Sequence, residues 1–340
     1  MHFLTRVRVL ALVVCPLVLA ITTLAQAPPP AMENLLTNAN AGPAPALPAS
    51  ETIRARVDEV NVLFTVSDAS GKFISHISLD DLQVLDNRSA PERISYFQQQ
   101  SDLPLRVGVL VDLSDSITYR FAYEKQAAIA FLQKVLRPQV DQAFVVGFGS
   151  HVILYHDFTS DIGALSNAVR EMRAGGDTQL YDAIRFASAK LGSAPGPAWM
   201  RRAIILITDG EDTRSKTIMY EAIQSALHAE TVIFALSSND LGDRGYPHGE
   251  AVLELITRPT GGAVLPAHSK SKIARAFDRV NEALRNQYAI GYKPADFKPD
   301  GNFRTIQIVP RQNKLRVQCR RGYFTPREEQ ASASNATARE

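Results

Sequence analysis

Residues 106–116 read RVGVLVDLSDS and combine a strand with a cluster of oxygen-bearing side chains. The first half is short, continuously apolar and rich in branched residues, which is typical of a strand buried on both faces of a parallel sheet. Residues 203–207, AIILI, have the same character and are followed by TDG. Ligands of open α/β sheets bind outside the carboxyl ends of strands, so we expect the polar residues after both strands to share one edge.

Oxygen donors at these strand ends predict a site for one divalent cation. Mg²⁺ prefers near-octahedral oxygen coordination and usually retains waters, so it needs few protein ligands; Mn²⁺ or Ca²⁺ could use the same donors. Two carboxylates against a charge of +2 would leave the ion electrophilic, with an open coordination position. The glycine pair that precedes the threonine would let its loop approach closely. The predicted metal ligands are Asp112, Ser114, Ser116, Thr178 and Asp209.

The middle of the chain alternates strand and helix patterns, which predicts an α/β fold with a doubly wound, mostly parallel sheet. Residues 152–158 follow the preceding strand after only a short connection, so they predict one antiparallel edge strand. The predicted strands are residues 106–113, 143–148, 152–158, 203–208, 232–237 and 262–265, and the predicted helices are 123–136, 162–172, 180–191, 218–228, 251–256 and 273–287.

Strand patterns also flank this region on both sides. Alternation over residues 60–66 followed by the turn sequence DASGK predicts a β-hairpin. Further strands are expected at 82–85 and 94–97, and in the C-terminal phrases QYAIGYKP, FRTIQIVP and KLRVQCRRGYF. Neither flank alone has enough strands to bury a sheet face, so we expect a small β module built from both.

The order DxSxS, then Thr, then TDG resembles the von Willebrand factor A (VWA) domain with a metal-ion-dependent adhesion site (MIDAS). The resemblance covers about residues 103–287 and implies a Rossmann-like fold. The C-terminal phrases extend a narrower resemblance, to secreted bacterial VWA-related proteins, over both flanks.

The resemblance also implies roles for the ligands. Ser114, Ser116 and Thr178 would bind the metal directly, and Asp112 and Asp209 would bind it directly or through water. An acidic side chain of a protein partner would complete the shell. Asp115 stands where the family usually has glycine, and together with Glu211 and Asp212 it adds negative charge that would oppose an acidic partner.

The first 25 residues are typical of a secretory signal peptide, because Arg6 and Arg8 precede an apolar run and then small residues. Cleavage is expected after Ala25. An uncleaved anchor is the alternative, but the apolar run is shorter than the ~20 residues that a spanning helix needs. The predicted regions are a signal peptide (1–25), a disordered linker (26–50), the N-terminal part of the β module (51–100), the VWA domain (101–287), the C-terminal part of the module (288–325) and a disordered tail (326–340).

Charge and cysteine content narrow the function classes. The formal net charge is +2, and loss of the signal peptide would leave 35 basic and 35 acidic residues, which argues against nonspecific nucleic-acid binding. Cys319 would be the one cysteine left, so no intramolecular disulfide is expected. Apolar and polar residues alternate in this part of the sequence, and Cys319 stands at an apolar position, which predicts that its side chain faces a core.

These observations favour an exported, noncatalytic adhesion or binding protein that engages a protein ligand through a divalent cation, with no membrane span after signal cleavage. Two alternatives stay open. One is a metal-independent scaffold of an envelope assembly. The other is a magnesium-dependent phosphohydrolase with Asp112 as nucleophile, although Ser114 stands where that chemistry needs an acid and no suitably placed lysine is evident.

Overall fold

The fold is seen in a computed structural model that describes residues 59–114, 121–197, 200–239 and 248–327. The predicted signal peptide, the predicted linker and all but the first two residues of the predicted tail lie outside these ranges. Within them, no helix combines the length and the apolar character needed to cross a membrane.

The strands in chain order are β1 (Val60–Ser67), β2 (Leu82–Asp86), β3 (Arg93–Gln100), β4 (Leu105–Asp112), β5 (Gln142–Phe148), β6 (Val152–Thr159), β7 (Arg201–Thr208), β8 (Thr231–Ser237), β9 (Val264–Pro266), β10 (Gln287–Lys293), β11 (Phe303–Pro310), β12 (Arg316–Cys319) and β13 (Gly322–Phe324). The α-helices are α1 (Phe121–Val135), α2 (Ile162–Glu171), α3 (Leu180–Gly192), α4 (Met219–His228), α5 (His248–Thr257) and α6 (Lys270–Arg285).

The central sheet has the strand order β6-β5-β4-β7-β8-β9. All neighbouring pairs are parallel except β5 and β6, which are antiparallel. The predicted α/β class and the antiparallel edge strand are therefore confirmed. Every residue of β4 is buried, because helices cover both faces of the sheet at its centre.

Alternate side chains of β4 enter two separate cores. Val107 and Val109 pack with α1, α2 and α6, where Phe131 and Phe277 have ring centroids 5.5 Å apart. Leu110 packs on the other face with α3, α4 and α5. Gly108 also faces this side, and a Cβ there would lie 2.6 Å from Phe144 Cζ, so the strand needs glycine at that point.

The predicted β module, drawn from both flanks, is present as two antiparallel sheets. One has the order β12-β1-β10-β3 and the other β13-β11-β2. Val60 pairs with Tyr292, and Val66 pairs with Val317. Cys319 packs against the apolar core of the module, as its alternation indicates.

The predicted β-hairpin after residues 60–66 is present only in a short form. The turn forms, with Gly71 N–H donating to the Asp68 carbonyl, and an antiparallel bridge joins Ser67 to Phe73, with Ile74 N–H donating to the Val66 carbonyl at 2.9 Å. Most of β1 pairs instead with β10 and β12. Tertiary pairing with distant strands therefore outweighs the local pairing.

Several element ends also differ from expectation by one to three residues. β7 begins at Arg201, two residues before the predicted strand, because Arg201 and Arg202 pair with the first residues of β4. The last helix begins at Lys270 and ends at Arg285, so Gln287 belongs to β10 and not to the helix.

The amino edge of the central sheet is held by Asp141, which is 0% exposed. Its carboxylate accepts the N–H of Leu105 at 2.8 Å and the N–H of Arg137 at 2.8 Å. The guanidinium groups of Arg137 and Arg285 also donate to it, at 3.2 Å and 2.5 Å. Burial alone would raise the pKa of Asp141, but these hydrogen bonds outweigh it and hold the pKa below its usual value.

Candidate metal centre

Asp112 is the last residue of β4 and is 0% exposed. One carboxylate oxygen, Oδ1, accepts the backbone N–H of Ser114 at 2.8 Å. The other, Oδ2, accepts a hydrogen bond from Thr208 Oγ1 at 2.6 Å. Thr208 ends the neighbouring parallel strand β7, so two strand ends fix the orientation of one buried carboxylate.

This buried carboxylate has no cationic partner within the described ranges, since none of their lysines or arginines forms an ion pair with Asp112. Burial raises the pKa of Asp112 to about 6, and the negative charge of Asp209 adds to the increase. The hydrogen bonds from Thr208 and Ser114 act in the opposite direction. A second carboxylate therefore lies near enough to Asp112 to repel it.

Asp209 directly follows β7, and its backbone is tightly packed against α5. Its carbonyl accepts Asn239 Nδ2 at 2.8 Å. A Cβ on Gly249 would lie 2.1 Å from that same carbonyl oxygen, and Gly210 has φ +88°. Both glycines are thus needed to bring the Asp209 loop and the start of α5 together.

Thr178 lies buried in the connection between α2 and α3. Its N–H donates to Thr213 Oγ1 at 2.9 Å, and its carbonyl accepts the N–H groups of Thr213 and Arg214 at 3.0 Å. Earlier in the same connection, Gly175 N–H donates to the Leu113 carbonyl at 2.6 Å. These bonds tie the Thr178 loop to the loop after β4 and to the loop after β7.

The structure thus brings Asp112, Ser114, Thr178 and Asp209 to the carboxyl edge of one sheet. Ser116, the remaining predicted ligand, lies outside the described residues, as does Asp115. Two carboxylates with hydroxyl groups are a donor set that suits a hard divalent cation. The described ranges hold no group of three or more His, Cys, Asp or Glu side chains placed for a metal, so such a site would depend on its hydroxyl donors.

Comparison with known families agrees with this topology. Residues 107–211 match the family described as von Willebrand factor type A domain. This stretch of the chain is therefore similar to a VWA domain. The match begins in β4 and ends just beyond Asp209, so it spans every predicted ligand. A comparison with curated proteins found no match.

Solved structures of similar fold share little sequence with the chain. BatB, a conserved hypothetical protein from Bacteroides thetaiotaomicron, is 16% identical with a TM-score of 0.43 over 54% of this chain and 98% of its own. A von Willebrand factor type A protein from Catenulispora acidiphila is 13% identical with a TM-score of 0.45 over 82% and 77%. The vWF domain of the type V pili tip protein Mfa5 from Porphyromonas gingivalis is 14% identical with a TM-score of 0.41 over 53% and 94%.

Several acidic residues near this edge of the central sheet have local structural roles. Asp212 accepts the N–H of Leu180 at 2.8 Å and Ser215 Oγ at 2.6 Å, so its charge stabilises the N-terminus of α3. Asp182 accepts the N–H of Thr217 at 3.0 Å. Asp212 and Asp182 therefore help to hold the start of α3 and the residues before α4 in place.

Sequence reasoning missed Thr208, which orients Asp112. Its only local signal is its place directly before the Asp-Gly pair at the end of a buried strand. It also accepts the N–H of Gly210 through Oγ1 at 3.1 Å, so one hydroxyl links Asp112 to the turn after Asp209. Replacing it with valine would keep the shape and remove both bonds.

Proposed function

We propose that the VWA domain is an exported, noncatalytic binding module that engages a protein partner through a divalent cation, with Mg²⁺ as the first candidate and Mn²⁺ or Ca²⁺ as alternatives. Ser114, Ser116 and Thr178 would hold the ion directly. Asp112 and Asp209 would hold it directly or through water. When bound, the cation supplies an electrophilic coordination position for an acidic side chain of the partner.

The buried carboxylate of Asp112 carries the proposal. A fully buried aspartate is usually paired with a cation of the protein itself, and Asp112 has no such partner among the described residues. A second carboxylate, Asp209, lies close enough to repel it. An external cation would relieve both the burial cost and the repulsion.

The surface beside this edge offers contact area for a protein partner. Ile218 and Tyr220, where α4 begins, are 59% and 60% exposed. α4 follows the Asp209 loop, so its N-terminus lies at the same edge of the sheet. Exposed aromatic and aliphatic side chains beside a polar centre are typical of protein interfaces.

The signal-like residues 1–25 support export, and the near-neutral charge of the remaining chain supports a protein ligand over a nucleic acid. Position 114 carries serine where a phosphohydrolase would need an acid, which supports a noncatalytic role.

The decisive experiment is a pull-down of envelope and secreted proteins with the purified chain, with Mg²⁺ and with EDTA. The proposal expects partner capture only with Mg²⁺, and its loss in Asp112→Ala and in Ser114→Ala. Asp102→Ala is the matched control, because that carboxylate is 91% exposed and remote in sequence from the ligands. Capture by Asp112→Ala at the level of the unmodified chain would refute the mechanism.

One observation favours the scaffold alternative. Ser114 and Thr208 already satisfy both oxygens of Asp112, so the loops can hold their arrangement without an ion. Under that alternative the same partner is captured in EDTA. Turnover of a generic phosphate ester with Mg²⁺, if lost in Asp112→Ala, would instead indicate the phosphohydrolase.

A further inference from the structure

A basic depression lies where α6 packs beside β9, the last strand of the central sheet. It has a volume of about 380 Å³. Three of its lining residues are cations, three are apolar and none is acidic. These residues are Leu265, Pro266, Lys272, Arg275, Ala276 and Arg279. The depression therefore combines positive charge with apolar surface, and we refer to it as the α6 depression.

The helical period places the three cations along one stripe of α6. Lys272, Arg275 and Arg279 are three and four positions apart, so each lies about one turn from the next. Arg275 is exposed, and the other two are half-buried. Ile273 and Phe277, on another face of the helix, pack into the core of the central sheet. The core therefore fixes the direction in which the stripe points.

Arg279 is held in place by the turn that follows β1. Its Nη1 donates to the Gly71 carbonyl, and its guanidinium lies 4.3 Å from the centroid of the Phe73 ring. None of the Arg279 nitrogens is buried without a hydrogen-bond partner, so the N–H groups that Gly71 leaves free reach solvent. A guanidinium that is already fixed loses little conformational entropy when it binds a carboxylate.

The charge of this stripe is not balanced by the chain. Within the described ranges, no carboxylate forms an ion pair with any of the three cations. Lys272 Nζ contacts His268 Nε2 at 2.6 Å. Asp278, an acid of the same helix, pairs instead with Lys134, and Glu282 lies beyond the last cation and outside the lining. The α6 depression therefore offers three cations to an acidic ligand.

We propose that the α6 depression is a docking surface for an acidic segment of a protein partner. Carboxylates of such a segment complement the three cations, and Arg275 and Arg279 can each donate two hydrogen bonds to one carboxylate. The apolar lining between the cations, Leu265, Pro266 and Ala276, matches apolar side chains of the same segment. A flat lipid surface would meet the exposed Arg275 but not this recessed lining, so the concave shape favours a protein.

One end of the α6 depression lies at the same edge of the sheet as the proposed metal site. Pro266 pairs with Ser237, and Ser237 pairs with Thr208, which donates to Asp112. β9 is three strands from β4, so at about 4.8 Å per strand this end is about 14 Å from Asp112. That spacing allows one acidic partner to contact both places, but the α6 depression does not require the cation.

The test is fluorescence anisotropy of a labelled oligoglutamate of about ten residues, titrated with the purified chain at low ionic strength after treatment with EDTA and dialysis. We expect saturable binding that weakens as the salt concentration rises, and no binding of an oligoglutamine of the same length. Arg275→Glu reverses one exposed charge of the stripe and should weaken binding about tenfold or more. Arg185→Glu is the matched control, because it makes the same change on an exposed arginine of α3, which packs on the opposite face of the sheet. This control should bind as the unmodified chain does.

Lys272→Glu should weaken binding to a similar extent, and it keeps the test valid if Arg275→Glu does not fold. Absence of oligoglutamate binding at low salt would overturn the proposal. An equal loss in Arg185→Glu would also overturn it, because binding would then depend on net charge alone. Vesicles of phosphatidylglycerol that bind where oligoglutamate does not, and that are released by Arg275→Glu, would assign the surface to a membrane instead. Since the measurement is made without metal ions, its failure is separable from failure of the proposed Mg²⁺-dependent capture.

Discussion

The two edges of the central sheet each bury an aspartate completely, but only one of these aspartates has a cationic partner among the described residues. Asp141, at the amino edge, is bonded to Arg137 and Arg285, and its pKa is lowered. Asp112, at the carboxyl edge, receives only neutral donors, and its pKa is raised to about 6. A buried carboxylate that is paired with arginines of the chain stabilises the fold, whereas one without such a partner can bind a cation from solution.

The largest expected effect is at the amino edge. Asp141→Ala removes the buried acceptor shared by two half-buried arginines, Arg137 and Arg285, and breaking a buried ion pair in this way costs about 3–5 kcal/mol. Urea unfolding followed by circular dichroism measures the loss. Asp102→Ala, on an exposed carboxylate, should change stability by no more than about 0.5 kcal/mol. If both variants lowered the free energy of unfolding equally, the proposed structural role of Asp141 would be wrong.

The same residue predicts a pH dependence. The folded pKa of Asp141 is lowered, so its contribution to stability is present above the unfolded value near 3.9 and is lost as the pH falls through the folded pKa. The unmodified chain should therefore lose stability in this acidic range more steeply than Asp141→Ala. Urea midpoints measured from neutral to acidic pH give the two slopes, and parallel curves would contradict the expectation.

A backbone contact at the carboxyl edge should give the next effect. A Cβ at Gly249 would lie 2.1 Å from the Asp209 carbonyl oxygen, so Gly249→Ala must separate α5 from the Asp209 loop. Overpacking of this kind costs about 1–3 kcal/mol, and the displaced Asp209 should weaken Mg²⁺ binding as well. Gly163→Ala in α2 is the control, because the nearest atom there is a cap side chain at 3.1 Å. Unchanged Mg²⁺ affinity would show that Asp209 does not need this position.

Asp112→Asn tests the contrast most directly. Asparagine keeps the size and removes the uncompensated charge, so stability without metal should change by about 1 kcal/mol or less. Stabilisation by Mg²⁺ should disappear in the same variant. Thermal unfolding with and without Mg²⁺ measures both. If Asp112→Asn without metal lowers the free energy of unfolding as much as Asp141→Ala does, then Asp112 also stabilises the fold.

The smallest effect concerns the Cys319 thiol, which lines a cavity of about 90 Å³ at the amino edge of the central sheet. Burial raises its pKa to about 11, so at pH 8 only about one thiol in a thousand is ionised. Iodoacetamide should therefore label the folded chain far more slowly than the urea-unfolded chain, as mass spectrometry can show. Rapid labelling of the folded chain would indicate that the cavity opens to reagents.

The strands of the central sheet were predictable because their signals are local. A strand covered on both faces, such as β4, must be apolar throughout, and the short connection before β6 permits only an antiparallel neighbour. Sequence order also predicts the shared edge of Asp112, Thr178 and Asp209, because the carboxyl ends of parallel strands lie together.

Features that depend on distant partners were not predictable. The turn at Asp68 predicts a hairpin with the residues that follow it. Most of β1 pairs instead with β10 and β12, which come from the other end of the chain. Asp141 and Arg285 are 144 positions apart in the sequence, so no local sequence pattern predicts that they form an ion pair. In the sequence, Arg201 resembles a surface arginine at the start of a strand. Its burial depends on the β module, which is built from distant parts of the chain, so the sequence did not predict the cavity.

The position of β1 between β10 and β12 sets an order of events during synthesis. β1 is synthesised before the whole central sheet, and its partners β10 and β12 are synthesised after it, so the edges of β1 stay unpaired while the chain emerges. Closing so long a loop is slow, and until it closes the unpaired strand edges can pair with strands of other chains. If the chain is exported as proposed, a holding chaperone acting on the early strands should raise the yield of folded protein.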